Sequence, residues 1–391
     1  MSRVETATVL DVLVRGVARI EENGYAGYDP ADLLNTSYES VENLPPKILR
    51  ILTLINFYSP INFRSLLKIR PAQNTTAMVL MVGVYLELFE RTGNTVYRDA
   101  LLSLTEWLLE RKIEEDDCWG WDRTIQYCSR TGLHNKRQPL TFIGALAADT
   151  FFRCYEALGR SEFLEYAQKS CDGLMHFPSK IKTPKGTCLS YTAGGTDEIV
   201  NASALAGSVL QKLGAALNRS DYTSLASDAL GFLLNSQLED GSWWYSYKNG
   251  EPLKKQIDFH QTYNINALLM YQENSTDSAI LSAVDSGVNY YIERQFTSRG
   301  YPFWRNRIPF PICVHNASHA VSFLSSKQVE HPRRNELLEK NLEILVGELY
   351  SGEGYFYYHK YAGHVVKHDF FRWNTIWSLH ALCIFLSNRN G

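Results

Sequence analysis

The chain has 391 residues, 45% hydrophobic and 13% aromatic, and a formal net charge of −3. That apolar content supports a large core without disulfides. The charge balance excludes the basic field of a nucleic-acid binder and an acidic tail, and no stretch approaches the ~18 uninterrupted apolar residues of a membrane span.

The first residues, MSRVETATVLDVLVRGVARIEENGY, carry charges at helical spacing. They lack the apolar run of about 7–15 residues that marks a signal peptide. Val9, Val12, Leu13, Ala18 and Ile20 predict an amphipathic helix over 2–22, closed by the glycines of Asn23–Gly27. Residues 28–46 read as irregular, with Asp29-Pro30 and Pro45-Pro46 as breakers. A second helix is expected over 47–58, followed by the basic segment 59–71 with Arg64, Lys68 and Arg70. The seven cysteines, Cys118, Cys128, Cys154, Cys171, Cys188, Cys313 and Cys383, are odd in number with no CxxC pair. They predict a reduced, cytoplasmic protein without a cysteine zinc site.

From residue 71 onward a pattern repeats. An apolar helix rich in small residues begins near Asn74, Thr141, Asn201, Gln261, His315 and Arg372, at separations of 67, 60, 60, 54 and 57 residues. More charged helices are expected between them over 96–113, 162–177, 222–237, 279–296 and 335–350, each with one solvated face. The sixth outer member is either the helix near 47–58 or the N-terminal helix. Each hairpin buries one face only, so neighbours must cover each other, and a ring leaves no uncovered end. The expected fold is all-α, an (α/α)6 toroid over 71–391, with N-terminal helices over 1–70 packing on it, as one domain. Spacing alone leaves an open α-solenoid as the alternative. Short turns at 92–94, 158–161, 218–221 and 274–277 would form one rim. Long loops at about 114–140, 178–200, 238–260, 297–314 and 352–371 would form the other, where chemistry is expected.

Four of those loops carry a glycine–aromatic cluster: 118–122 (CWGWD), 241–247 (GSWWYSY), 300–304 (GYPFW) and 354–358 (GYFYY). These aromatics either plug gaps between outer helices or line a cleft and stack on a substrate. The segment 231–243 (GFLLNSQLEDGSW) resembles the QW motif of terpenoid cyclases, Q-x3-G-x-W, with Gln237, Gly241 and Trp243 in place. Gln295 and Gly300–Trp304 form a degenerate second copy. In that superfamily the motif is structural, so the resemblance implies the toroid. The cyclase signature DxDD is absent. Asp197 and His260 resemble the zinc ligands of protein prenyltransferase β subunits, but residue 199 is Ile where that pattern has Cys, so the thiolate ligand is missing. Over residues ~70–390 the chain also looks like the glycan-active toroids: six-hairpin glycosidases, polysaccharide lyases, sugar epimerases and toroid proteins of surface-polysaccharide biosynthesis.

If the ring closes, polar groups at the inner-helix starts converge on one mouth: Arg70 and Asn74; Arg137 and Gln138; Asp197, Glu198 and Asn201; Asp258, His260, Gln261 and Asn264; His315, Asn316 and His319; His368, Asp369, Arg372 and Asn374. His260 is the expected base, with Asp258 or Glu198 orienting it or supplying the acid, and Asp197 as a further carboxyl. Helix capping is the competing role for each Asn and Asp. Arg70, Arg137 and Arg372 suit an anionic substrate. Trp121, Trp243, Trp244, Trp373, Tyr263 and His319 are expected substrate contacts, and Tyr127, Tyr191 and Tyr263 are candidate proton donors. His315 and His319 lie one turn apart, a spacing that can bind metal. The glutamate of HExxH is missing and no third ligand follows, so no metal is expected. Gly194 and Gly195 form a turn without GxxxxGK[ST], and no cofactor is expected. The leading reading is an enzyme acting on a sugar, oligosaccharide or uronic-acid-containing glycan precursor, by epimerisation, β-elimination or hydrolysis. The alternatives are a non-catalytic glycan- or protein-binding toroid and an isoprenoid enzyme.

Overall fold

The computed structural model describes residues 4–389 except 130, 131, 135, 136 and 274. The first three residues of the expected N-terminal region and Asn274 of an expected turn lie outside the described residues. The helices in chain order are α1 (Thr6–Glu22), α2 (Glu39–Glu42), α3 (Pro46–Tyr58), α4 (Thr75–Thr92), α5 (Thr95–Arg111), α6 (Thr141–Leu158), α7 (Ser161–His176), α8 (Val200–Leu217), α9 (Ser220–Asn235), α10 (His260–Gln272), α11 (Ser278–Arg294), α12 (Val314–Ser325), α13 (Arg334–Leu342) and α14 (Trp377–Arg389). A π-helical turn, Glu343–Glu348, extends α13, and another, Phe371–Ile376, leads into α14.

Helices α4, α6, α8, α10, α12 and α14 form the inner ring. Their small and apolar residues are buried around most of the helix, as in α4 and α8, because each inner helix is covered on every side. The ring closes: α14 packs on α12 through Ser318 Oγ and Ser378 Oγ at 2.9 Å, and reaches α4 where Ser387 Oγ donates to Glu87 Oε2 at 2.5 Å. The open solenoid is thereby excluded. Helices α5, α7, α9, α11 and α13 form the outer layer. The sixth outer helix is α1, whose Val9, Leu13 and Ile20 belong to the common core. Gly16 of α1 lies directly against Leu379 of α14.

Three inner helices, α4, α6 and α8, end on residues in the left-handed conformation, Gly93, Gly159 and Asn218 at φ 65°, 65° and 54°. That cap turns the chain back within a few residues and produces the short rim. The long loops are less irregular than expected. They contain two- and three-stranded antiparallel sheets with strands of two to eight residues, the longest being Gly186–Ala193 paired with Pro178–Thr183. The seven cysteines form no disulfides among the described residues.

The glycine–aromatic clusters divide: Trp121 and Trp243 seal the outer layer, whereas Tyr245, Trp304 and Tyr358 turn to the central cavity. Trp243 Nε1 donates to Leu233 O at 2.9 Å, and Trp121 Nε1 to Leu108 O at 2.9 Å, each pinning a loop to the end of the preceding outer helix. Gln237 Nε2 donates to Gly241 O and Ala283 O at 3.1 and 2.9 Å, joining one repeat to the next. Gly241 sits at φ 90°, and a Cβ there would run into the Ser286 carbonyl. Gly241→Ala is therefore expected to destabilise the fold by roughly 1–3 kcal/mol from the backbone alone, with the clash adding to it. Urea unfolding checks this, and an unchanged midpoint would refute the structural role.

Candidate active site

The inner-helix N-termini surround a cavity of about 280 Å³. Each inner unit contributes to its wall: Thr76 from α4, Phe142 from α6, Asn201 from α8, His260 and Tyr263 from α10, His315 and Asn316 from α12, and Arg372 and Trp373 from the turn before α14. The floor is aromatic. Phe142, Tyr263 and Trp377 meet with ring centroids 5.6 to 6.5 Å apart, and His319 lies 4.8 Å from Trp377. The rim is formed by Phe57 and Tyr58 of α3 and by Trp304 and Arg305, with the Arg305 guanidinium 3.7 Å from the Trp304 ring centre. The positive ends of six helix dipoles point at this space.

His260 opens α10. Its Nδ1 lies 2.6 Å from Asp258 Oδ1, which also accepts from the His260 backbone N–H at 3.1 Å. Gln256 Nε2 bonds the other Asp258 oxygen. Burial acts to raise the Asp258 pKa, but His260 and these hydrogen bonds outweigh it and hold the carboxyl below its ordinary value. A carboxylate can only accept, so the His260 Nδ1 carries a proton, which leaves Nε2 as the position that gains or loses one. The turn behind the pair is fixed by Asn306: its Oδ1 accepts from Ile257 N–H at 2.7 Å, and its Nδ2 donates to Lys255 O at 3.0 Å.

His315 Nδ1 lies 3.0 Å from Trp373 O, which fixes its proton on Nδ1 and leaves Nε2 as an acceptor. Its ring stacks on Trp373 at 4.1 Å. His319 Nε2 faces Tyr263 OH at 3.3 Å. Burial, followed by neighbouring cationic groups or imidazoles, pushes both His315 and His319 well below the usual histidine range, so both are neutral. Among the described residues no three His, Cys, Asp or Glu side chains are arranged to hold a metal ion.

Besides Arg305 at the rim, Arg372 and Arg123 reach the cavity. Arg372 Nε donates to Asp29 Oδ2 at 2.6 Å, with both side chains buried. Burial works to raise the Asp29 pKa; Arg372 and the Ala31 N–H overcome it, and the net shift is downward. Asp29 is held beside Asp32, which accepts from Arg64 Nε at 2.9 Å and from Asn56 Nδ2 at 3.0 Å. Arg123 Nη2 donates to Tyr191 OH at 2.8 Å, and its guanidinium lies 4.4 Å from the Tyr127 ring centre.

Of the expected site residues, the cavity gathers His260, Asp258, Arg372, Tyr263 and Trp373, with His319 beneath. Others lie elsewhere. Trp121 and Trp243 are fully buried in the outer layer because their indole N–H groups serve as pins. Trp244 lies outside the cavity near Lys255. Glu198 is buried and accepts from the backbone N–H groups of Asn249 and Gly250 at 2.5 and 3.1 Å, so its carboxylate holds a hairpin. Asp197 is half-buried in the preceding loop. Arg70 is exposed, bonding Ser37 Oγ at 3.0 Å, and Arg137 is an exposed turn residue at φ 63°. Several polar residues at inner-helix starts are also structural. Gln261, Asn316 and Asn374 each donate to a carbonyl of an aromatic loop, and Asn74 caps α4.

Sequence reasoning missed Asp29 and Arg123. Each adjoins a feature that was noticed, the Asp29-Pro30 breaker and the CWGWD cluster, but nothing local signals that either side chain is buried. Arg123 is aimed by a tight turn in which Asp122 Oδ1 accepts from Thr124 N–H at 2.9 Å and Thr124 sits at φ 66°.

No family model and no curated protein sequence matches the chain. Solved structures match its fold. The GH76 alpha-mannanase of Bacteroides thetaiotaomicron superposes with a TM-score of 0.64 at 13% identity, covering 81% of this chain and 87% of that one. For the cellobiose 2-epimerase of Bacillus thermoamylovorans the TM-score is 0.65 at 10% identity, with 82% and 90% covered. An unsaturated glucuronyl hydrolase specific for heparin gives 0.62 at 11% identity, with 99% and 98% covered, so its likeness takes in the N-terminal helices as well. At these identities the likeness is one of architecture, and it agrees with the closed ring: the chain is an (α/α)6 toroid.

Proposed function

We propose that the chain is a carbohydrate-active enzyme that moves a proton on a sugar or uronic-acid-containing glycan precursor, an epimerase or isomerase, with a place in glycan biosynthesis. One observation carries this reading. The His260 ring is held by Asp258 with its Nε2 open to the cavity, and Asp258 is the only carboxylate among the described lining residues. Glycoside hydrolysis ordinarily needs two carboxyl groups flanking the bond, about 5–9.5 Å apart. A single His–Asp pair suits removal of a proton from carbon beside a carbonyl.

In that step His260 Nε2 takes the proton from the carbon next to the carbonyl of the open-chain sugar. The electron pair moves onto the carbonyl oxygen, giving an enediolate. Arg372, Arg123 and the helix N-termini stabilise the negative charge. The hydroxyl proton passes from the second oxygen to the first and the His260 imidazolium returns its proton to the adjacent carbon, giving an isomer. Delivery of a proton to the opposite face of the original carbon by a water molecule hydrogen-bonded to His315 Nε2, with the hydroxide so formed taking up the proton held by the His260 imidazolium, gives the epimer. Trp373 and the aromatic floor stack on the apolar face of the sugar. A cavity of about 280 Å³ is at the small end for ligand sites, about 300–1,000 Å³, which favours a single sugar unit over a long chain lying inside it. The named activities of the epimerase and of the other toroid enzymes, all on saccharides, support the substrate class.

The test is proton exchange. Reducing mono- and disaccharides, including mannose, cellobiose and a uronic acid, are incubated with the protein in D2O and followed by NMR. Deuterium is expected to enter at the carbon beside the carbonyl, and His315→Ala is expected to slow epimerisation more than exchange. Cleavage of a glycosidic bond without exchange, or no exchange with any of these sugars, would overturn the proposal.

A further inference from the structure

Helix α3 is built inside out. It turns Leu49, Thr53 and Asn56 inward, two of them polar. Thr53 Oγ1 donates to Leu49 O at 2.8 Å, and Asn56 Nδ2 to Asp32 at 3.0 Å. The outward face carries Ile48, Ile51, Leu54, Ile55 and Tyr58, all between 40% and 57% exposed. At helical spacing these form one continuous stripe. The exposed apolar run goes on past the helix through Ile61 and Leu66, at 62% and 71% exposure. Arg305 Nη2 donates to Tyr58 OH at 2.9 Å and ties a second element to this edge. Three residues on, Ile308 and Phe310 are also exposed. So large an apolar surface left open to water marks a docking site.

Charge identifies what docks. From Asn43 to Leu86 the chain has no Asp or Glu, while Lys47, Arg50, Lys68 and Arg70 fall in the same stretch outside the buried Arg64–Asp32 pair. The 305–310 tip likewise contains no acid but does contain Arg305 and Arg307. Lys47, Lys68, Arg70 and Arg307 are exposed. This face is therefore positive on a chain whose net charge is −3. A two-fold pairing of copies through it would set like charge against like. An anionic bilayer suits both halves of the surface, taking up the apolar stripe and neutralising the cations. With 13 residues, α3 is about 20 Å long, and no helix of the described residues is long and apolar enough to cross a membrane. It would lie in the plane of the surface.

We propose that α3 and the 307–310 tip form a peripheral docking surface for an anionic lipid membrane. Phe57, Tyr58 and Arg305 also line the cavity, so docking sets its mouth at the membrane plane. The docking requires no particular reaction in the cavity and is tested without measuring activity.

Sedimentation of the full chain with phosphatidylcholine vesicles, with and without phosphatidylglycerol, provides the test. Binding is expected only with the anionic lipid and is expected to weaken as salt rises. Lys47→Gln and Lys68→Gln should each weaken it roughly five-fold, the effect of one cation near a charged surface. Ile51→Glu with Ile55→Glu should abolish it while leaving the unfolding midpoint unchanged, since both side chains are exposed. Failure of the wild type to bind at low salt would overturn the proposal, as would equal binding by the double variant. So would a wild-type dimer in sedimentation velocity that the double variant converts to a monomer, which would assign the stripe to a second copy of this chain.

Discussion

Replacement of His260 by Ala is expected to lower turnover by roughly 10²–10⁴-fold, the usual worth of a positioned general base, with the helical circular dichroism unchanged. The ring is partly open to the cavity: its one side-chain hydrogen bond is to Asp258, two residues away, and the nearest ring of another element is that of Tyr245, 4.8 Å off. Asp258→Asn tests the same claim from the other side. The Asn amide can donate to Nδ1, which moves the imidazole proton to Nε2 and removes the lone pair that takes the substrate proton. Turnover should fall by a comparable factor while substrate still binds. Undiminished turnover in His260→Ala, measured as deuterium exchange or product formation, would take His260 out of the mechanism.

Arg372→Ala is expected to destabilise the protein by roughly 3–5 kcal/mol at neutral pH, the range for removing one partner of a buried ion pair. The side chains of Arg372 and Asp29 are 8% and 7% exposed, and their contact joins the last inner unit to the N-terminal segment. The loss has a pH signature. Asp29 is depressed in the folded chain, so its contribution is complete above its unfolded pKa of about 3.9 and fades as pH falls through the lower folded value. Without Arg372, burial dominates and the Asp29 pKa rises. The gap in stability between wild type and variant should therefore narrow in acid. Arg372→Met combined with Asp29→Asn should recover stability but not activity, because the cation at the cavity is still missing. Denaturant midpoints at several pH values check this, and a gap that stays constant with pH would show that packing alone is responsible.

The repeating alternation of apolar and charged helices is legible in the chain because helix burial is a local pattern. A helix covered all round, such as α8, must be apolar and small all round, and the outer helices need one polar face. Their order and approximate bounds follow. Gln237, Gly241 and Trp243 were likewise readable as a joint between repeats. The exposed stripe on α3 gave no such signal: a short apolar helix reads the same whether its apolar face turns inward or outward.

The candidate site was legible only where chemistry and position coincide in sequence, as with Asp258 and His260, two residues apart at a helix start. Arg372 was noticed, but its partner Asp29 lies 343 residues away. Arg70 and Arg137 stand before inner helices just as Arg372 does, yet both turn to solvent. Periodicity along this chain determined the kind of helices and the number of hairpins. Whether the ring closed, and which polar side chain at each helix start became a pin, a cap or a cavity wall, was decided by contacts between distant segments, because burial and pairing belong to the packed structure and to no local stretch.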